Sequence, residues 1–248
     1  MMGPTRCGKR LVVITGSSRG IGLGIARSFL ACGDTVILNG REDKKMLDQS
    51  VQELQQQGHD ASGFIADLSD YEAASNMINT IESTHGTVDV LINNAGAAYY
   101  GLFSDMRPHE WQRVIADNLL ATINASHLVV PSMVRAKRGC IINISSVWGV
   151  VGASCEVMYS AAKAGVNGFT KALSRELGPS GIRVNAIACG AFDTRMTNNL
   201  SEEEKTAFAE SIPLGRFGCI SEVGALAVYL AGADYITGQV IPLCGGIV

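Results

Sequence analysis

A doubly wound α/β domain, single and continuous over residues 1–248, with a mostly or wholly parallel sheet of about seven strands, is what the sequence predicts. Three observations carry that prediction. Short apolar runs alternate with longer segments of helical period, glycines bound the runs, and neither a low-complexity linker nor a block of like charge divides the chain. Strands joined through helices make right-handed crossovers, which cover a parallel sheet on both faces and require strands that are apolar on both sides.

The elements follow in order. "RLVVIT" (10–15) is a buried-strand run and leads into a helix from Ile21 to Cys32. "TVILN" (35–39) is the second strand, followed by a polar-faced helix over 44–58 that stops at Gly58. "ASGFIAD" (61–67) and a helix over 70–86 repeat the unit, and "VDVLINNAG" (88–96) precedes a long helix over 109–134. "GCIINISS" (139–146), a helix over Tyr159–Leu177, "IRVNAIA" (182–188) and "GQVIPL" (238–243) complete the set. The stretch 191–218 breaks this rhythm with a polar helix and loop, and at the carboxyl edge of such a sheet it is placed to cover a ligand.

Apolar residues make up 47% of the chain and charged ones 17%, with a net charge of -3. That balance excludes disorder and argues against general nucleic-acid binding. The 7 cysteines stand scattered, none in CxxC spacing and none beside a histidine. We therefore expect reduced thiols, no metal site and a cytoplasmic protein. No signal-peptide pattern opens the chain and no stretch approaches the roughly 20 apolar residues of a membrane helix, so no membrane association is expected.

"TGSSRGIG" (15–22) lies between the first strand and the first helix. Gly16 permits the tight turn, Gly20 lets backbone approach a diphosphate, and Gly22 allows helix and strand to pack closely, with Ser18, Arg19 and Ile21 completing the cradle. The helix N-terminus adds free N–H groups and a partial positive charge. Together these predict a dinucleotide site of the Rossmann kind. An acid about 20 residues further on would bond a ribose 2′-OH. Here "LNGR" instead offers Asn39 and Arg41, and Arg19 sits inside the loop. The forked guanidinium suits a 2′-phosphate, so NADP(H) is the expected cofactor. Further on, "MYSAAKAG" puts Tyr159 and Lys163 on one helix face, close enough to interact.

The glycine loop, "NNAG" (93–96), "NISS" (143–146), Tyr159-x-x-x-Lys163 and "YITGQV" occur in this order. In this respect the chain resembles the short-chain dehydrogenase/reductase family over essentially its whole length. The resemblance implies that Ser146 holds the substrate carbonyl or hydroxyl, with Ser145 facing the other way along the strand. It makes Tyr159 the general acid in reduction, Lys163 the group that binds the nicotinamide ribose and lowers the tyrosine pKa, and Asn118 the support of a water and proton chain. Asp67, with Leu68, matches the adenine contact, although an N-cap of the next helix reads equally well. Asn93, Asn94, Ala95 and Gly96 would line the cofactor, Ile187 and Gly190 would border the nicotinamide, and Thr194 would bond its carboxamide. Tyr99, Tyr100, Trp148 and Met196 would wall the substrate pocket. Cys189 stands where the family usually has proline, which predicts a looser loop. Cys244 replaces an aspartate common among close relatives.

The pair can be sized. Bringing a tyrosine from a pKa near 10 toward 7 takes about 3 units, or roughly 4 kcal/mol. A positive charge about 4 Å away supplies about that much at an effective dielectric near 20. Burial acts in the opposite direction. Among subfamilies the chain looks most like the 3-oxoacyl-acyl-carrier-protein reductases, which implies an acyl-thioester substrate and a place in fatty acid biosynthesis. Arg135, Lys137 and Arg138 could meet an acidic carrier protein. The pocket wall would equally suit a steroid or sugar, and the same fold serves alcohol, sugar and hydroxysteroid dehydrogenases. A catalytically silent NADP-binding protein is the reading from another class. The resemblance also implies a homotetramer packed through the helices at 109–134 and 159–177.

Overall fold

A computed structural model describes residues 9–192 and 201–248. Its strands are β1 (Leu11–Ile14), β2 (Thr35–Gly40), β3 (Ala61–Ile65), β4 (Val90–Asn93), β5 (Gly139–Ser146), β6 (Ile182–Cys189) and β7 (Val240–Leu243). They form one 7-stranded sheet in the order β3-β2-β1-β4-β5-β6-β7, parallel throughout. β1 is buried along its whole length, as a central strand covered on both faces must be.

Alternate strand residues feed two cores. Val12, Ile14, Val36, Leu38, Val90, Ile92 and Ile142 pack beneath α1 (Gly20–Ala31), α2 (Lys44–Gln56) and α9 (Ile220–Gly232). Val13, Ile37, Leu91, Ile141 and Val184 face α3 (Tyr71–His85) and α5 (Ala121–Ala136) on the other side. A period-two strand can serve both layers in this way. The Asp43 and Asp70 carboxylates accept N–H groups in the first turns of α2 and α3, which starts each helix with a satisfied donor. α7 (Val157–Leu177) lies against β5 and β6 and carries the Tyr–Lys pair, and α8 (Glu202–Ser211) is a polar helix within the stretch 191–218.

Two differences from the sequence reading matter. The helix expected over 109–134 is two helices, α4 (Pro108–Ile115) and α5, joined by a π-turn at Ala116–Leu120. By length and composition the whole run Pro108–Ala136 could cross a membrane, contrary to the expectation that no stretch would qualify. Here Ala121, Ala125, Val129 and Met133 bury it in the core. The second difference is α9, which no periodic signal announced. "ISEVGALAVYLAG" is apolar nearly all round, and it docks on α1 through glycines. A Cβ at Gly24 would strike Ile220 at 2.0 Å, and one at Gly224 would meet Ser28 Oγ at 2.1 Å.

Candidate active site

The strand order reverses between β1 and β4, and ligands of such sheets bind at the carboxyl ends flanking that switch. The glycine loop leaves β1 at this point and "NNAG" leaves β4. Thr15 ties them together: its hydroxyl accepts the Asn94 and Ala95 N–H groups, both at 2.9 Å. The Asn94 amide donates to the carbonyls of Thr15 at 2.9 Å and Gly16 at 2.8 Å. Neither contact was foreseen from sequence, because a threonine at a strand end carries no motif.

The loop is shaped for an anion. Gly20 has φ +57° and a Cβ there would meet open space, so the backbone demands glycine and leaves room above it. Arg19, the N-cap of α1, makes no side-chain bond to the first turn, which leaves those N–H groups to a ligand. Gly22 packs so close that a Cβ would lie 2.6 Å from the Asn94 amide nitrogen. Ser18 and Ile21 are half-buried in the same turn, and Arg19 is exposed, its Nη1 3.7 Å from Met46 Sδ. These residues fit a dinucleotide diphosphate.

Asn39 is a correction. It is buried, its Oδ1 accepts the Gly16 N–H at 3.1 Å, and its amide donates to the carbonyls of Gly40, Phe64 and Ala66. It braces the glycine loop and has no arm left for a ribose. Asn93 is likewise internal, donating to Asn143 Oδ1 at 2.8 Å and Ser126 Oγ at 2.9 Å, while the Asn143 amide donates to Thr170 at 2.8 Å. This polar thread clamps β4, β5 and α7 together. Leu68 is core, its carbonyl taken by the Asn124 amide. Asp67 accepts from the Ser69 N–H and hydroxyl and from Arg113. Although burial opposes it, these bonds hold its carboxyl below the usual range. The N-cap of α3 is Asp70, so that alternative for Asp67 falls. Arg41, just past β2, pairs with Asp117 at 2.9 Å.

The chemical groups converge at the ends of β5 and α7. Ser146 closes β5 and accepts the Trp148 N–H at 3.2 Å. Ser145 faces away, its hydroxyl donating to the Lys163 carbonyl at 3.3 Å. Ser146 is also a hydrogen-bonding neighbour of the Tyr159 hydroxyl. Lys163 is 4% exposed, and its Nζ donates to the Ile144 carbonyl at 2.9 Å and lies 5.6 Å from the Tyr159 ring centre. Gly149, on the short helix α6 (Trp148–Val151), presses on this turn of α7. A Cβ there would stand 2.7 Å from the Lys163 carbonyl carbon.

Asn118 sits in the π-turn, fully buried, with its amide donating to the carbonyls of Ala97 at 2.7 Å and Val114 at 2.9 Å. Its Oδ1 has no partner among the described residues. A Cβ on Gly96 would come within 2.5 Å of that oxygen and 3.4 Å of Lys163 Nζ. Glycine is therefore what lets "NNAG" pass between the two groups, and the orphaned oxygen is left for a bound molecule. Tyr99 and Trp148 are half-buried at the rim, and Tyr100 is exposed. Thr194 and Met196 lie outside the described residues.

Cys189 is the last residue of β6, paired with Ser146 on one side and Leu243 on the other. Its backbone is therefore held by the sheet, and most of the loop that follows lies outside the described residues. Gly190 follows, its N–H bonded to the Leu243 carbonyl at 2.9 Å and its backbone so close to Cys244 that a Cβ would clash at 2.7 Å.

The electrostatics correct the simple charge-pair estimate. Burial holds Tyr159 above its ordinary pKa, with Cys189 and Glu156 acting the same way and the Ser146 hydrogen bond acting against them. Lys163 is lowered to about 8 by burial. The Cys189 thiol, pushed up to about 12 by its own burial, is uncharged near neutral pH and gives the ammonium no support there. Desolvation thus outweighs the attraction expected of the Tyr–Lys pair. A tyrosine that keeps its proton is suited to donate it.

The description "short chain dehydrogenase" fits residues 10–205. The 3-oxoacyl-[acyl-carrier-protein] reductase FabG of Chlamydia muridarum is 38% identical over 240 residues, covering 96% of this chain and 97% of that protein. The protein of the same name from Staphylococcus aureus (strain Mu50) is 40% identical over 237 residues, covering 95% and 96%. Among solved structures, a gluconate 5-dehydrogenase from Burkholderia cenocepacia J2315 in complex with NADP and tartrate superposes with a TM-score of 0.92 at 28% identity, over 98% of this chain and 96% of that one. With this sheet order, this glycine loop and these relatives, the chain belongs to the short chain dehydrogenase family and is an oxidoreductase.

Proposed function

We propose that this chain reduces a ketone to a secondary alcohol by hydride transfer from NADPH, with a 3-oxoacyl thioester as the leading substrate. The observation that carries the reading is the meeting of Ser146, Tyr159 and Lys163 beside a glycine loop open to a diphosphate. The near full-length similarity to proteins named 3-oxoacyl-[acyl-carrier-protein] reductase supports the substrate. Gly16, Gly20 and Gly22 would admit the diphosphate, Arg19 and Arg41 the 2′-phosphate, and Ala95 and Gly96 the nicotinamide half. Once bound, the reduced nicotinamide supplies the hydride. Ser146 then orients the carbonyl, and the Tyr159 hydroxyl gives its proton to the carbonyl oxygen as the alkoxide develops. Lys163 holds a positive charge close to that oxygen and bonds the ribose, and Asn118 anchors the route by which the proton is replaced. Tyr99 and Trp148 would stand at the wall of the substrate pocket.

An acyl carrier protein is the proposed donor of the acyl chain. Arg135, Lys137 and Arg138 lie at the opposite edge of the sheet from Ser146, since β5 runs from Gly139 to Ser146 between them. That is about 26 Å at the usual rise per residue. The patch would therefore serve the site of a second copy, in a homotetramer packed through the helices at 109–134 and 159–177. The gluconate 5-dehydrogenase likeness supports a second reading, a hydroxylated sugar acid or polyol as substrate. The test is NADPH oxidation with acetoacetyl thioester, with gluconate-type and polyol panels run in both directions. Turnover of the thioester that vanishes in Tyr159→Phe, with NADPH still bound, supports the proposal. Turnover of the sugar panel alone overturns the acyl substrate.

A further inference from the structure

We propose that Asp117 is a positioning residue that sets the preference for a cofactor bearing a 2′-phosphate, by holding the Arg41 guanidinium across the end of β2. The inference rests on NADP(H) being the cofactor and identifies what would hold its distinguishing phosphate site in shape. Asp117 lies on the π-turn immediately before Asn118. It is only 9% exposed, and both its oxygens are taken by guanidinium: Oδ2 by Arg41 Nη1 at 2.9 Å and Oδ1 by Arg113 Nε at 2.8 Å. Arg113 turns its Nη2 to Asp67 Oδ2 at 3.0 Å. A chain Asp67–Arg113–Asp117–Arg41 therefore runs along the carboxyl edge of the sheet, from the end of β3 to the end of β2.

The arrangement decides what Asp117 does. A free carboxylate beside a phosphate site would repel the ligand. This one is buried and saturated by two cations, so it serves as an anchor whose charge is already neutralised. Arg41 is 44% exposed and spends Nη1 on Asp117 and Nε on the Glu42 carboxylate. Its Nη2 has no partner among the described residues, and Arg19 on the glycine loop is another exposed guanidinium at this end of the sheet. A pinned guanidinium gives up less side-chain freedom when it closes on a phosphate than a free one. The same carboxylate lies one residue from Asn118, so a single turn of backbone carries both the phosphate anchor and a group proposed for the proton route.

The test is equilibrium binding of adenosine 2′,5′-bisphosphate and of 5′-AMP to the full chain, followed by calorimetry, for wild type, Arg41→Ala, Asp117→Asn, Asp117→Glu and the Arg41→Ala/Asp117→Asn double variant. Asp117→Asn should cost roughly tenfold in affinity for the bisphosphate, the scale of one charge-assisted hydrogen bond, with a much smaller change for 5′-AMP. Asp117→Glu, which keeps the charge, should recover part of the loss, and the double variant should be no worse than Arg41→Ala. Thermal melts of each variant establish that it is folded. Equal weakening of both ligands, or a rise in preference for the bisphosphate, would overturn the inference. If wild type prefers the bisphosphate, Arg41→Ala loses that preference and Asp117→Asn keeps it, the inference alone falls. If wild type binds both ligands equally, the NADP(H) reading falls and takes the inference with it.

Discussion

Replacing Gly149 by alanine tests whether α6 positions Lys163. A Cβ at 149 would stand 2.7 Å from the Lys163 carbonyl carbon, 2.8 Å from Lys163 Cβ and 2.9 Å from the Ala164 nitrogen. Carbon atoms in ordinary contact lie about 3.5–4.0 Å apart, so α6 and α7 must separate by about 1 Å. The atoms struck are mostly backbone and cannot swing aside. Overpacking of this size costs about 1–3 kcal/mol, and each kcal/mol lowers Tm by about 2–4 °C in a chain of this length. Movement of α7 also drags Lys163 from the Ile144 carbonyl that its Nζ meets at 2.9 Å and loosens the Asn167 bond to the Gly149 carbonyl at 3.0 Å. A misplacement near 1 Å in a reacting constellation is worth about a hundredfold in turnover. Gly152→Ala is the control. Gly152 ends α6 at φ +78° and ψ 161° with open space where a Cβ would lie, so alanine there brings about 1–3 kcal/mol of backbone strain and no push on Lys163. We expect comparable losses of Tm in the two variants, but loss of NADPH-linked turnover only in Gly149→Ala. Retention of full activity and melting temperature by Gly149→Ala, or equal inactivation by both, would refute the reasoning.

Three further outcomes follow from the same geometry. Asp34→Ala should lower stability by about 3 kcal/mol, because it leaves Arg10 largely buried without the carboxylate that accepts its N–H, its Nε and its Nη2; urea titration measures the loss, and a change under 1 kcal/mol would show the pair to be dispensable. Lys163 has a folded pKa of about 8 against an ordinary 10.5, so from about pH 8 to pH 9 the unfolded chain binds more protons and stability rises with pH. Lys163→Met should abolish that rise; above pH 9 the buried Cys140 and Cys189 thiols, both raised, keep protons that the unfolded chain releases and oppose it, and above pH 10 the raised Tyr159 pKa adds to the fall in both proteins. For catalysis, reductive kcat/KM should stay level to about pH 8 and fall beyond it as Lys163 loses its charge; a Lys163→Arg profile that falls at the same pH would assign the descent to another group.

The parts of the site that were legible in the sequence are those that local geometry sets. Tyr159 and Lys163 share a face because an α-helix repeats every 3.6 residues, and the glycine loop follows a strand because a tight turn needs Gly16 at φ +59°. Ser146 and Ser145 divide between two faces by the period of a strand. What was not legible arises between elements. Asn39 was read as a ligand from its place at the tip of the second strand, where an acid would bond a ribose, and Asn93 from the family resemblance. Here the β4–β5 register sets Asn93 opposite Asn143, and the approach of the loop to β2 brings the Gly16 N–H onto Asn39. Thr15, Gly149 and Asp117 carry no spacing signal, since each acts on a neighbour distant in the chain. The π-turn at Asn118 escaped for the same reason: the apolar period of 109–134 runs straight through it.

The tyrosine pKa is the most instructive disagreement. A charge about 4 Å away was enough on paper to bring Tyr159 toward neutrality, but that sum treated the lysine as a fixed charge. The fold buries Lys163 as deeply as it buries the strands around it. Desolvation then acts on both partners, keeping the proton on Tyr159 and weakening the hold of Lys163 on its own. A pair tuned in this way favours the protonated tyrosine until further positive charge enters the pocket. The protonation state in which Tyr159 waits is therefore set by the depth at which β5 and α7 meet, a property of the assembled sheet that no i,i+4 spacing contains.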